Sequence, residues 1–209
     1  AAAVQGAIRK MRNAGQVCTS PTRFFVHETI FDEFTAAYVD RAAATVVGNG
    51  MSKSVEMGPL ANERRIADIS ALVENAVACG ADLATGGKRY GDKGYFFKPT
   101  VLVNVPAQAQ IMQKEPFGPI AVINSVSSLE DAITKANSVP YGLAGYAFTN
   151  RADYIDRMID EVEVGNLSIN TLEASMPETP FGGVKSSGYG REGGSEGVDN
   201  YMIVKNVWH

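Results

Sequence analysis

The sequence has little of what small functional centres are commonly built from. Its 209 residues include two cysteines, Cys18 and Cys79, two histidines, His27 and His209, and one tryptophan. Two cysteines do not make a disulfide framework, and no Cys or His cluster has zinc-ligand spacing, so no metal is expected. A cysteine–histidine hydrolase is disfavoured as well, because His209 is the terminal residue and His27 closes a predicted strand away from Cys18. No apolar run approaches the ~20 residues that cross a bilayer. The first residues, AAAVQGAIRKMRNAG, break their apolar positions with Gln5, Arg9 and Lys10 instead of building a signal-peptide core. The expectation is a cytoplasmic protein with no membrane partner. A basic surplus is lacking too: 19 Lys and Arg stand against 23 Asp and Glu, which argues against nucleic acid as a partner. An initial methionine is also missing, and the chain opens on what reads as a helix already under way, so a piece of a longer protein is expected.

What is present is an ordinary apolar fraction of 45%, enough for one large domain or two small ones. Strand and helix patterns alternate. TRFFVH (22–27) reads as a strand, and Ile30, Phe34, Ala37, Tyr38 and Ala44 recur at helical spacing after it. Asn62 is a good N-cap for a helix striped by Ile66, Ile69, Leu72, Val73, Ala76 and Val77, and Gly80 ends it. Residues 95–105 look extended, and PIAVINSV (119–126) is a short apolar run of the kind buried in parallel sheets. Ser127 stands three before Glu130, a capping-box spacing, and Asn150 is positioned to cap the helix that follows. The fold class predicted is α/β, a largely parallel sheet with helices on both faces. Residues 171–197 are rich in Gly and Pro, and YMIVKNV (201–207) has strand character with nothing obvious to pair with except another chain.

GYGREG (188–193) matches the dinucleotide fingerprint letter for letter. The fingerprint works only directly after a strand and opening a helix, with a carboxylate about 20 positions on. Here a loop precedes it and the chain ends too soon, so glycines at positive φ in a loop are the better reading.

Two stretches stand out chemically. In NAGQVCTSPTR (13–23), Cys18 sits in a polar turn that Pro21 keeps from continuing as helix, with Arg23 nearby in sequence. It is either a nucleophile or, by the default for a lone cysteine, a small buried side chain. Cys79 fits that default. In QKEPFGPI (113–120), Pro116 and Pro119 hold Glu115 and Phe117 in a non-helical turn where a carboxylate and an aromatic face could meet a ligand. The bland alternative pairs Glu115 with Lys114 and sends Phe117 to the core.

Taken together, GQVCT, KEPFGPI, YGLAGYAFT, GNLSIN and PETPFGGVKSSGYGREGG resemble, in order, the motifs of the aldehyde dehydrogenase superfamily. The resemblance implies oxidation of a small aldehyde by NAD or NADP, with Cys18 as the nucleophile. It assigns Glu115 to the nicotinamide-side ribose and Phe117 to the nicotinamide end of the cofactor. Val17, Thr19 and Phe181 would line the substrate tunnel. It further implies a catalytic domain over residues 1–189 and a tail over 190–209 whose strand makes a homo-oligomer. By the same resemblance, the family's cofactor-binding half, which lies N-terminal to the cysteine with the water-activating glutamate, is expected to be missing from these residues, and the chain alone is expected to be inactive. TLEASMPETPFGG leans toward semialdehyde-oxidising relatives, with Arg23 and Ser175 as candidate anchors and Glu173 as a charge that would repel acidic substrates. A CoA-acylating enzyme and a non-catalytic oligomerisation module are the competing readings.

Overall fold

The computed structural model describes residues 2–209. The chain forms two compact units, one running to Ala132 and one over Ile133–His209.

The first unit is organised by one central strand. It opens with α1 (Ala2–Ala7) and a 3-10 segment, Ile8–Gly15, then β1 (Arg23–His27), α2 (Phe31–Ala43), α3 (Glu63–Ala78), β2 (Asp82–Thr85), β3 (Thr100–Val103) and β4 (Ile120–Val126). The sheet order is β1-β4-β3-β2. β4 runs parallel to both neighbours, with Val122 opposite Arg23 on one side and Leu102 on the other, and β2 closes the edge antiparallel. Thr100–Val103 and Ile120–Ile123 are buried without alternation. Continuous burial of that kind requires cover on both faces, and each large aliphatic side chain removed from water contributes about 2 kcal/mol.

α2 supplies part of that cover. Phe24 of β1 meets Phe34 and Tyr38 of α2, with ring centroids 6.5 and 5.4 Å away. The Tyr38 hydroxyl donates to the Ala7 carbonyl at 3.4 Å, and complete burial holds its proton far above the ordinary range. α3 starts where the sequence places it, with the Asn62 side chain accepting from the Arg65 N–H, and ends at Gly80 with φ +107°. Its buried stripe is Ile69, Leu72, Val73 and Ala76; Val77 instead faces solvent.

The second unit starts inside α4 (Leu129–Asn137) and continues through β5 (Tyr141–Gly142), β6 (Ala144–Ala147), α5 (Ala152–Glu161), β7 (Asn166–Ile169), β8 (Val184–Lys185) and the short α6 (Glu196–Asp199). β6 and β7 pair in parallel, and β5 and β8 antiparallel. The Asn166 amide holds the carbonyls of Leu143 and Gly182, at 2.9 and 2.8 Å.

Two caps differ from the sequence expectation. α4 is capped by Ser128, not Ser127: the Ser128 hydroxyl accepts from the Asp131 N–H, and the Asp131 carboxylate accepts from the Ser127 N–H. The box is shifted by one residue because aspartate, with its shorter side chain, serves in place of Glu130. α5 begins from Arg151 without a side-chain cap, and the Thr149 hydroxyl, not Asn150, accepts the Arg151 N–H. In the tail, residues 202–209 enter no ladder with the other described residues, and Ile203 and Val204 are 95% and 97% exposed. Their strand character has no partner to express it here.

The caps make a paired prediction. Asn62→Ala should lower stability in urea by about 1 kcal/mol, whereas Asn150→Ala should change it by less than about 0.5 kcal/mol. Equal effects would contradict the cap assignment.

Candidate active site

Cys18 lies on the first unit, in a turn closed by the Ser20 N–H donating to the Val17 carbonyl at 2.9 Å. Cys18 and Thr19 are its two central residues. Cys18 is exposed, whereas Cys79 is half-buried and packs against the core. The small-buried-side-chain reading therefore holds for Cys79 and not for Cys18. Val17 and Thr19 are half-buried on either side of the thiol.

The backbone before the turn is unusual. Arg12 leaves helical geometry, and Asn13, Ala14 and Gly15 follow in the left-handed region at φ 52°, 53° and 69°. Left-handed geometry costs a non-glycine residue roughly 1–2 kcal/mol, and it persists only where surroundings hold it. Those surroundings are visible. The Gln16 amide nitrogen donates to the carbonyls of Asn13 and Pro59, its oxygen accepts from the Ala61 N–H at 2.8 Å, and the Asn13 amide donates to the Gln16 carbonyl. Ala14 is buried at 1% exposure.

Gly15 brings the second motif into place. A Cβ on Gly15 would lie 2.0 Å from the Gly118 carbonyl oxygen, so the two backbones touch. Gly118 in turn has no room for a Cβ against Ile69 of α3. The Arg65 guanidinium on the same helix donates to the Pro116 carbonyl. The loop Glu115–Gly118 is thereby pinned between α3 and the segment that leads into Cys18. Phe117 takes φ +43° and stays 39% exposed, and Lys114 turns away to the Gln110 side chain at 3.0 Å. The bland reading of this stretch, a Lys114 ion pair with Phe117 in the core, does not hold.

Glu115 is exposed, yet partial burial still raises its carboxyl above the ordinary value, and the charge of Lys10 works against that rise. Lys10 itself is 1% exposed, and burial pushes its ammonium down to about 8 while Glu115 opposes the fall. The Arg23 guanidinium lies 5.5 Å from the centre of the Phe25 ring. Among the described residues no cluster of three or more His, Cys, Asp or Glu could hold a metal, and no helix is long and apolar enough to cross a membrane.

Phe181 belongs to the second unit, where it is half-buried. It exchanges two backbone hydrogen bonds with Glu192, at 2.7 and 2.8 Å. That bridge closes the GYGREG segment into a loop. Gly188, Gly190, Gly193 and Gly194 all have positive φ, and neither a preceding long strand nor a following long helix is present, so the fingerprint is a loop as expected. Ser175 and Glu173 lie in the same unit, and the Glu173 carbonyl accepts from the Ser168 hydroxyl.

An exposed cysteine in a braced turn thus lies backbone to backbone with a carboxylate–aromatic loop. The family model for the aldehyde dehydrogenase family matches residues 1–207. The chain belongs to the aldehyde dehydrogenase family. It is 45% identical over 196 residues to a 4-(hydroxymethyl)benzenesulfonate dehydrogenase of Comamonas testosteroni, covering 94% of this chain and 40% of that protein. It is 42% identical to a succinate-semialdehyde dehydrogenase of Paenarthrobacter nicotinovorans, covering 98% of this chain and 46% of the relative. The crystal structure of succinate-semialdehyde dehydrogenase from Burkholderia pseudomallei superposes with a TM-score of 0.94 at 39% identity, covering 98% of this chain and 42% of that one. Betaine aldehyde dehydrogenase from Staphylococcus aureus in complex with NAD+ gives a TM-score of 0.92 at 36% identity, covering 97% and 41%. The chain thus spans less than half the length of these relatives.

Sequence reasoning missed the structural parts of the site. Gly15, Gln16, Gly118, Arg65 and Lys10 hold the two motifs, and of these only the close Gly–Gln flank of the cysteine carried any signal.

Two outcomes follow from this geometry. Gly15→Ala should cost more than about 2 kcal/mol of stability in urea, since the methyl both meets a carbonyl and fixes an L-residue at positive φ. The buried Lys10 sets a pH dependence. Its proton leaves at about 8 in the folded chain and near the ordinary 10.5 in the unfolded one. Between those values the unfolded chain binds more protons, so stability rises with pH, by at most about 3 kcal/mol, and below about 8 the cost of the buried charge is present in full. Urea midpoints should climb from pH 8 to pH 10 in the wild type and stay flatter in Lys10→Met.

Proposed function

We propose that residues 1–189 form the catalytic domain of an NAD(P)-dependent aldehyde dehydrogenase, with residues 190–209 as a tail whose strand pairs between copies of the chain. The observation that carries this reading is the exposure of Cys18 in its braced turn beside the Glu115–Gly118 loop.

In this reading the Cys18 thiolate attacks the aldehyde carbon, forming a C–S bond and an oxyanion that the Cys18 backbone N–H helps to hold. An aldehyde carbon gives up hydride readily only once that addition has made it tetrahedral and electron-rich. Collapse of the oxyanion expels the hydride and leaves a thioester on Cys18. Water cleaves the thioester, returning the thiol and releasing a carboxylate. A bound nicotinamide cofactor supplies the hydride acceptor. Residues of this chain fit part of that group: the exposed Glu115 carboxylate can accept from ribose hydroxyls, and the exposed Phe117 ring offers an apolar edge. Val17 and Thr19 flank the approach to the thiol.

The substrate class we favour is a small semialdehyde, since relatives named as succinate-semialdehyde and aspartate-semialdehyde dehydrogenases align over nearly the whole chain at 42% and 39% identity. A cytoplasmic location goes with this reading. Turnover is expected to need the remainder of the cofactor site that the longer relatives contain.

The test is site-resolved alkylation. Iodoacetamide with mass mapping should label Cys18 at least about tenfold faster than Cys79 in the native chain at pH 7.5, and an added semialdehyde should slow labelling at Cys18 alone. Equal slow labelling of both thiols, unaffected by aldehyde, would overturn the assignment in favour of a non-catalytic module.

A further inference from the structure

Lys10 takes no part in the chemistry above, yet it is the one charged side chain among the described residues that is fully buried. Its bonds explain its place. The Lys10 ammonium donates to the Thr22 hydroxyl oxygen at 3.2 Å, the Thr22 hydroxyl donates to the Ser20 carbonyl at 3.4 Å, and the Ser20 hydroxyl donates back to the Lys10 carbonyl at 3.3 Å. The three bonds close a ring around the far end of the Val17–Ser20 turn. Thr22 anchors that ring to the sheet, because its carbonyl accepts from the Val122 N–H of β4 at 2.9 Å.

We propose that Lys10 is a positioning residue for the nucleophile: it clamps the exit of the Cys18 turn to the sheet through Ser20 and Thr22. The proposal rests on Cys18 being the reactive thiol. The entrance of the turn is braced by Gln16, as described, and this ring brackets its exit. Between Lys10 and Cys18 the chain passes through three consecutive left-handed residues, a path that relaxes if one end is freed. A buried ammonium is an expensive clamp, and burial has already pulled its proton affinity down. A group that destabilises the fold as a whole while ordering one turn is the signature of a local role.

That signature gives the experiment. In Lys10→Met the buried charge is gone, so global stability at pH 7 should rise or hold in urea. The Ser20 amide should nevertheless exchange with deuterium faster, and Cys18 alkylation should fall roughly fivefold relative to Cys79, the size expected for the loss of one good hydrogen bond. Thr22→Val should reproduce the local changes, and Thr22→Ser, which keeps the hydroxyl, should restore wild-type rates. If Lys10→Met and Thr22→Val leave both Ser20 exchange and the Cys18 rate unchanged, or if global and local stability fall together, the proposal is wrong. Faster Ser20 exchange with a wild-type Cys18 no more reactive than Cys79 would retain the clamp and reject the nucleophile, so the two readings fail separately.

Discussion

Gly15 and Gly118 touch backbone to backbone, and the arrangement of the candidate site follows from that contact. The cysteine turn and the Glu115–Gly118 loop are about a hundred residues apart in sequence, and no side chain long enough to bridge them is needed when both positions are glycine. Each partner is also held from behind. Gly118 rests on Ile69 of α3 and opens directly into β4, with the Ile120 N–H donating to the Gly118 carbonyl at 2.8 Å. Gly15 is the last of the left-handed residues leading to Cys18. A parallel sheet places the beginnings of neighbouring strands at the same end, so β1, which follows the turn, and β4, which follows the loop, deliver both motifs to one edge.

The energetic balance of that edge is unfavourable locally and favourable globally. Two left-handed non-glycine residues, Asn13 and Ala14, a positive φ at Phe117, an exposed aromatic ring and a buried ammonium all work against folding. The opposing gain comes from a sheet whose inner residues are dry on both faces and from the aromatic cluster of Phe24, Phe34 and Tyr38. Such a separation of rigid core from strained rim is how a scaffold keeps a reactive side chain exposed without losing its geometry.

Regular elements were legible in the sequence because periodicity reports burial. PIAVINSV reads as a doubly buried strand and is one, and Asn62 and Gly80 bracket α3 as read. The α4 cap was misplaced by one position, since Ser127 and Ser128 offer the same chemistry, and the cap expected from Asn150 is not formed, α5 beginning from Arg151 without a side-chain cap. Cys18, Glu115 and Phe117 stood out as residues that regular structure does not explain, and they do sit in irregular backbone. The burial of Lys10 was not legible: it stands in the sequence as a polar interruption of an apolar segment, and its aliphatic stem and a hydroxyl partner twelve residues away let it be buried. Nothing local in a sequence announces a partner at that distance.

Lys10 and Glu115 also bind the two motifs electrostatically. Burial disfavours the charge on each, raising the carboxyl and lowering the ammonium, and each charge partly offsets the cost to the other. They form no direct ion pair as short as the Arg157–Glu161 pair on α5, so their attraction acts at longer range and, with Glu115 exposed, is screened by solvent. Loss of either charge leaves the other more costly. The buried cation thus partly offsets the rise that burial imposes on the Glu115 carboxyl, and the thiol turn and the carboxylate loop are coupled in charge as well as in shape.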